Sequence, residues 1–170
     1  MVITTADKHD VPELNALVNA AYRGESSKKG WTTEADLLDG IRTDEKALSE
    51  VFSDPMSLIL KCTLGQKIVG CVHLKKEGKR LYLGMLTVDP EMQGKGVGKI
   101  LLNATEDEAR KRDCSSIFMT VISVRKELIA WYLRHGYVDS GITKPFPYGD
   151  PRFGIPKMPL EFVVLEKPIL

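Results

Sequence analysis

The spacing of apolar residues changes period along the chain and predicts helices followed by alternating strands and helices. Residues 2–5 alternate weakly and indicate a short first strand. A helix is expected from Asp10, as N-cap, to about Arg23, because five apolar residues follow helical spacing: Val11, Leu14, Val18, Ala21 and Tyr22. The glycine-, serine- and lysine-rich residues 24–32 interrupt it. A second helix is predicted from Thr33, which forms a capping box with Asp36, towards Ile41, and a third over residues 44–52.

The middle of the chain has the pattern of strands. Residues 56–63, 68–75 and 81–88 are rich in apolar and β-branched side chains and are separated by short turns, so they should form an antiparallel meander. Residues 116–121 predict a fifth strand, parallel to the fourth because a helix lies between them. Further on, we expect a helix over residues 127–135 that ends at Gly136, and two last strands at 137–140 and 161–166.

The chain is organised around the stretch that links the fourth strand to the next helix. The strand stops at Asp89-Pro90, three alternating glycines follow, and a helix then begins with Val97, Ile100 and Leu101 on one face. Glycines allow close backbone approach, and the first amides of a helix point at a ligand with the positive end of the helix dipole behind them. The segment therefore predicts an anion-binding site.

Three kinds of phosphate loop compete for this segment. A Walker loop needs four residues between its first glycine and Gly-Lys, followed by Ser or Thr, whereas here three residues separate Gly94 from Gly98-Lys99 and Ile100 follows. A dinucleotide loop needs Gly-x-Gly-x-x-Gly after the first strand, which is not this spacing or place. The run from Gln93 to Gly98 instead resembles the Gln/Arg-x-x-Gly-x-Gly/Ala signature of the GNAT superfamily of acyl-CoA N-acyltransferases.

A second stretch, from Ala130 to Tyr137, resembles the second signature of that family. The resemblance gives Tyr132 the role of general acid, which protonates the thiolate that leaves when an amine attacks a thioester. An uncharged phenol suits this task in an apolar site. Many relatives carry an asparagine seven residues before the tyrosine; this chain has Arg125 there, which we do not count among the site residues.

The resemblance covers nearly the whole chain and implies its fold and cofactor site. We expect a single domain, residues 1–170, with a mixed α/β fold: a central sheet of about seven strands, helices on both faces, and fourth and fifth strands that splay apart around acetyl-CoA. The residues implied to bind this cofactor are Leu86, Thr87, Val88, Gln93, Gly94, Lys95, Gly96, Val97, Gly98 and Lys99.

The acceptor side is less defined, because no carboxylate occupies the strand positions where relatives often have a base. Glu25 and Glu34 flank Trp31 in a loop that borders the acceptor groove in this fold, and His73 could reach the groove from a strand. The long proline-rich segment 141–160 contains Phe146, Tyr148 and Phe153 and predicts an ordered wall beside the substrate. The candidate acceptor residues are Glu25, Trp31, Glu34, His73, Phe146 and Tyr148.

Composition narrows the partners and the compartment. A net charge of +1 gives no electrostatic case for nucleic acid, and no apolar run is long enough to suggest a membrane span. The three cysteines are scattered, have no zinc spacing, and favour free thiols in the cytoplasm, so no metal is expected. A homodimer is frequent in the family, which leaves the oligomeric state open.

The sequence thus favours an acetyl-CoA-dependent N-acetyltransferase that acts by direct attack on a primary amine of a small molecule, an amino acid or a peptide. Two alternatives stay open. The first is a non-catalytic acyl-CoA sensor, which the missing base would explain. The second is a nucleotide-binding module, which the absence of Ser or Thr after Lys99 opposes.

Overall fold

The computed structural model describes residues 1–147 and 154–170, and within them the chain forms a seven-stranded mixed sheet. The spatial order of its strands is β1-β2-β3-β4-β5-β7-β6. Their bounds are β1 Val2–Thr5, β2 Ser57–Leu64, β3 Lys67–Glu77, β4 Arg80–Val88, β5 Ser116–Ile122, β6 Val138–Pro145 and β7 Glu161–Pro168. The predicted meander β2-β3-β4 is antiparallel and β4 and β5 are parallel, so both predictions are confirmed.

Helices cover both faces of the sheet, as predicted. Their bounds are α1 Val11–Tyr22, α2 Gly24–Ser27, α3 Glu45–Ser53, α4 Val97–Lys111 and α5 Lys126–Arg134. The apolar sides of α1 and α3 pack with Ile59, Ile68 and Cys71 in one core, whereas α4 and α5 belong to a second core with Leu60 and Val72. Neighbouring strand residues such as Ile59 and Leu60 serve opposite cores because side chains alternate across a strand.

The helix predicted over residues 33–41 is wrong. The Thr33 hydroxyl accepts a hydrogen bond from the amide of Ala35, as a cap would, but the chain then makes one turn and becomes extended. Leu38–Asp39 pairs with Ile155–Pro156 in a separate two-stranded ribbon. Leu38 is buried there in a cluster that contains Ile122, Phe146 and Leu160. Packing against distant residues therefore overrides the local helix signal, and Gly40 turns the chain with a φ of 88°.

The strands β4 and β5 separate soon after they begin. They pair only through Arg80–Tyr82 and Ser116–Phe118, and the remainder of β5 pairs only with β7 on its other side. Within the described residues, the rest of β4 therefore has a partner on the β3 side alone. This is the predicted splay, and it opens a cleft in the middle of the sheet.

A β-bulge lies in β4 at the mouth of that cleft. Two residues of β4, Met85 and Leu86, stand opposite one residue of β3, because the register steps from Gly84–His73 to Thr87–Cys71. Met85 has a φ of 55°, and the Thr87 hydroxyl donates a 2.8 Å hydrogen bond to the Met85 carbonyl. Bulges of this kind redirect a strand and leave a main-chain position unpaired.

Among the described residues, no helix has the length and apolar character that crossing a membrane requires.

Candidate functional site

A cavity of about 360 Å³ occupies the space between the end of β4, the glycine loop and α5. Residues of α4 and α5 line it together with Ala21 and Tyr22 of α1. Nine of the ten residues that the sequence assigned to the cofactor line it: Leu86, Thr87, Val88, Gln93, Gly94, Gly96, Val97, Gly98 and Lys99. Lys95, the tenth, is exposed on the same loop but is not part of the lining.

The glycine loop presents a series of main-chain amides to this cavity. Within the described residues, the N–H groups from Gly94 to Lys99 have no hydrogen-bond acceptor, and Gly96 is the N-cap of α4 without a side-chain cap. Gly94 and Gly96 have φ values of 80° and 84°, which only glycine adopts without strain. Amides arranged this way at the start of a fifteen-residue helix form an anion site that suits a phosphate group.

Gly98 has a different role from Gly94 and Gly96. A Cβ at this position would lie 3.0 Å from the Trp131 ring, so the glycine permits close packing between α4 and α5. Trp131 in turn stacks against His135 with ring centroids 4.4 Å apart, and both rings line the cavity.

Residues Gly30 and Trp31, which precede the two-stranded ribbon in the chain, pack against Gln93 at the start of the glycine loop. The amide of Trp31 donates a 2.8 Å hydrogen bond to Oε1 of Gln93, and the Gln93 side chain packs so closely on Gly30 that a Cβ there would overlap it. The rings of Trp31 and Trp131 are 6.4 Å apart across the cavity rim. Trp31 was predicted on the acceptor side, but the structure places it in the lining of the larger cavity.

Tyr132 lies on α5 at the inner end of this cavity, where it is buried with only 5% of its surface exposed. Its ring packs edge-on against Trp131 and Tyr137. Burial, and then the proximity of Tyr22 and Tyr137, raises the pKa of the Tyr132 phenol well above its ordinary value of 10. The phenol is therefore protonated at neutral pH and can donate a hydrogen bond or a proton.

A second, smaller cavity of about 140 Å³ opens on the other side of the bulge. It is lined by β4, β5 and the segment around the ribbon, including Leu38, Phe146 and Phe162. Five residues line both cavities and mark the place where the two meet: Tyr22, Leu86, Arg125, Leu128 and Tyr132.

Charged residues of the smaller cavity form a buried cluster around Glu34. Arg23 reaches Oε1 of Glu34 at 2.9 Å, and Arg125 reaches Oε2 at 3.0 Å. All three side chains are less than 10% exposed. Arg125 also donates a 2.7 Å hydrogen bond to the Thr32 hydroxyl, which itself donates to Glu127. Both oxygens of Glu34 thus accept hydrogen bonds from guanidinium groups, and this arrangement holds residues 32–34 against the start of α5.

The other predicted acceptor residues have different positions. Phe146 is buried in the lining of the smaller cavity, where it packs on Phe162, so this part of segment 141–160 does form a wall. His73 lies outside the lining of both cavities and shares a 3.0 Å hydrogen bond with the Ser57 hydroxyl. Tyr148, Phe153 and the side chain of Glu25 lie outside the described residues.

Sequence reasoning missed several residues of the site. Tyr22 was predicted on the apolar face of α1 and Arg125 was set aside, yet both line the place where the cavities meet. Arg23 and Arg42 line the smaller cavity and were not predicted as site residues. The sequence offered one indication of these residues, namely Arg125 at a position where many relatives carry an asparagine.

Comparison of the sequence with known proteins finds a matching family and curated relatives. A sequence model of the acetyltransferase (GNAT) family matches residues 14–137. The chain is 27% identical over 139 residues to the mycothiol acetyltransferase of Clavibacter sepedonicus, and the match covers 82% of this chain and 42% of that protein. The chain thus spans less than half the length of the curated relatives that it matches.

Solved structures share the fold at low sequence identity. The ribosomal-protein-S18-alanine N-acetyltransferase from Escherichia coli has a TM-score of 0.74 at 18% identity, with 99% of this chain and 93% of that chain covered. The ribosomal-protein-alanine N-acetyltransferase from Brucella melitensis has a TM-score of 0.72 at 18% identity and is covered over its full length by 99% of this chain. An IAA acetyltransferase from Bacillus cereus gives 0.68 at 16% identity, with 99% of each chain covered.

Proposed function

Because this chain belongs to the acetyltransferase (GNAT) family, we propose that it transfers an acetyl group from acetyl-CoA to a primary amine. The observation that carries the proposal is the junction of two cavities at Leu86 and Tyr132, in the cleft between β4 and β5. A two-substrate transfer needs two binding spaces that share one reacting centre. In this proposal residues 1–170 act as one domain, with the larger cavity for acetyl-CoA and the smaller one for the acceptor.

The larger cavity offers what acetyl-CoA requires along its length. The amides from Gly94 to Lys99 would hold the pyrophosphate, with the positive end of α4 behind them. The unpaired side of β4, from Leu86 to Val88, would bind the pantetheine amides as an added strand does. Acetyl-CoA then supplies an activated acyl group, a thioester, beside the bulge.

The acceptor amine attacks the thioester carbonyl carbon directly in this mechanism. A main-chain N–H near Leu86 stabilises the negative charge that develops on the carbonyl oxygen. The C–S bond then breaks, and Tyr132 gives its phenolic proton to the departing sulfur. The attacking nitrogen loses its proton, which restores the phenol through solvent. The raised pKa of Tyr132 means that the phenol carries its proton at neutral pH.

A direct attack also agrees with the positions of the thiols. Cys62, Cys71 and Cys114 are all buried and none of them lines either cavity. Burial raises the pKa of Cys71 to about 12, so this thiol is a poor nucleophile. An acyl-enzyme on cysteine therefore forms no part of the proposal.

One observation favours a second candidate function, a non-catalytic acyl-CoA sensor. Among the described residues that line the smaller cavity, Glu34 is the one carboxylate, and two arginines already occupy it. A general base for the acceptor amine is therefore not evident. A sensor would bind acetyl-CoA and release no thiol with any amine.

The test compares acetyl-CoA binding with thiol release for the purified chain and for Tyr132→Phe. We expect the variant to bind acetyl-CoA with unchanged affinity by calorimetry, while its kcat falls about 100-fold or more because the acid is lost. Tyr137→Phe, which removes a buried hydroxyl that lines neither cavity, is the matched control and should keep its rate. Full turnover by Tyr132→Phe would contradict the role of Tyr132 as general acid. If no amine in a broad panel causes thiol release, the sensor is the function that remains.

A further inference from the structure

Arginines outnumber carboxylates in the described lining of the smaller cavity. Three arginines line it, Arg23, Arg42 and Arg125, and among its described lining residues Glu34 is the single acidic side chain. Two of these arginines bind Glu34. The third arginine, Arg42, has no carboxylate partner among the described lining residues. A space of this kind attracts an anion.

Arg42 is the cation best placed to bind a ligand. Its guanidinium lies 5.2 Å from the centroid of the Tyr22 ring, and within the described residues it forms no ion pair. The hydroxyl of the same ring is bonded to Leu86. Arg42 is therefore held by a cation–π contact with Tyr22, a residue that lines both cavities.

Arg125 adds a buried donor with spare capacity. Its Nη atoms are bonded to Glu34 and Thr32, but its Nε has no acceptor within the described residues although it is fully buried. A buried N–H without a partner costs free energy, so this guanidinium is not fully satisfied by its protein contacts. Arg125 lines both cavities, and its positive charge favours an anion in the smaller one.

We infer that the acceptor is a small amine that also carries a carboxylate, such as a free amino acid, and that Arg42 and Arg125 recognise this group. A guanidinium binds a planar carboxylate through two parallel hydrogen bonds. The volume of about 140 Å³ suits one small molecule, and an amine with a second positive charge would be repelled. That the amine is acetylated rests on the proposed function, whereas the binding of the carboxylate does not.

The experiment measures binding and transfer separately. Calorimetry with CoA-saturated protein is run with α- and ω-amino acids, with the carboxamide of each, and with phosphoethanolamine as an amine that carries a phosphate. Thiol release from acetyl-CoA is measured with the same compounds. At least one acid should bind about tenfold more tightly than its carboxamide, and the same ratio should appear in kcat/KM.

Three variants assign the preference to Arg42. Arg42→Gln should remove the difference between acid and carboxamide, and Arg42→Lys should restore part of it because the charge returns without the planar fork. Arg110→Gln, a change on the exposed side of α4, is the control and should keep the full difference. Arg42 is the cleaner target, since removing Arg125 would leave a buried oxygen of Glu34 unpaired.

Each contrary outcome has a distinct meaning. Equal binding of acids and carboxamides, a preference for phosphoethanolamine, or no binding of any acid would overturn the inference. Equal turnover of acids and carboxamides would overturn it while the proposed acetyl transfer stands. A carboxylate-dependent affinity that Arg42→Gln abolishes, without thiol release, would support the inference and remove the proposed function.

Discussion

The Tyr22 hydroxyl donates a 2.7 Å hydrogen bond to the main-chain oxygen of Leu86, and this bond joins the last residue of α1 to the bulge of β4. The two residues are 64 positions apart in the chain. Burial raises the pKa of Tyr22 to about 12, so the phenol remains a donor across the neutral range. We interpret Tyr22 as a positioning residue that fixes the direction of the Leu86 peptide.

Replacing Tyr22 by Phe should therefore affect both stability and rate. A partly buried carbonyl would lose its donor, which costs about 1–3 kcal/mol of unfolding free energy in urea titrations. The looser peptide should lower kcat about tenfold while the affinity for acetyl-CoA changes little. Tyr137→Phe is the control, because the buried Tyr137 hydroxyl has no partner within the described residues and its removal should cost nothing. Equal losses in the two variants would contradict the positioning role.

Replacing Gly96 by Ala should weaken binding of the phosphates selectively. The residue has a φ of 84°, so alanine strains the loop by about 1–2 kcal/mol and shifts the amides of the first turn. Calorimetry should give weaker binding of CoA but unchanged binding of pantetheine, which lacks the pyrophosphate. Gly65→Ala matches the strain, with a φ of 63° in the turn between β2 and β3, and should leave CoA binding intact. An equal effect on both ligands would argue against a phosphate site.

Replacing Glu34 by Gln should strongly destabilise the fold. The variant removes the carboxylate that Arg23 and Arg125 share, and breaking a buried ion pair costs about 3–5 kcal/mol. Glu91→Gln breaks an exposed contact of 3.8 Å with Lys29 and should cost about 0.5 kcal/mol or less. Denaturant unfolding of both variants measures the difference. Similar small losses would mean that the cluster contributes binding geometry but little stability.

His73 should make stability fall in mild acid. Burial, with help from Lys75 and Arg42, lowers its pKa from 6.5 to about 4, so the folded protein keeps this ring neutral. Below the ordinary pKa the unfolded chain binds a proton that the folded chain does not, and stability is lost as pH falls from about 6.5 towards about 4. Between about pH 7.5 and about pH 5 this amounts to about 1–2 kcal/mol.

The His73→Asn variant isolates this effect, because the pH dependence of its unfolding free energy should be flatter by that amount. His9→Asn, at an exposed position before α1, is the control and should retain the slope of the parent chain. A His73→Asn variant with the parent slope would show that other groups cause the acid sensitivity.

The prediction of the strands succeeded where the signal was local. Apolar alternation located all seven strands, with most of their ends correct to within a few residues. The loop from Gly94 to Gly98 requires glycine because of the backbone angles of Gly94 and Gly96 and the close packing of Gly98 on Trp131. Strand alternation and backbone angles depend on near neighbours in sequence, so a single chain displays them, whereas the contact of Gly98 with Trp131 joins distant positions. The helix expected over residues 33–41 failed because Leu38 packs with a segment more than a hundred residues away.

What the sequence by itself determined is the order of the seven strands and the glycine-rich loop before α4, since periodicity and turn chemistry depend on adjacent residues. What only the tertiary structure decided is the charge of the smaller cavity and the junction of the two cavities. Glu34 meets Arg23 eleven positions away and Arg125 ninety-one positions away. Pairing over such separations is set by how the sheet splays and how the loops pack on it, and no local pattern encodes it.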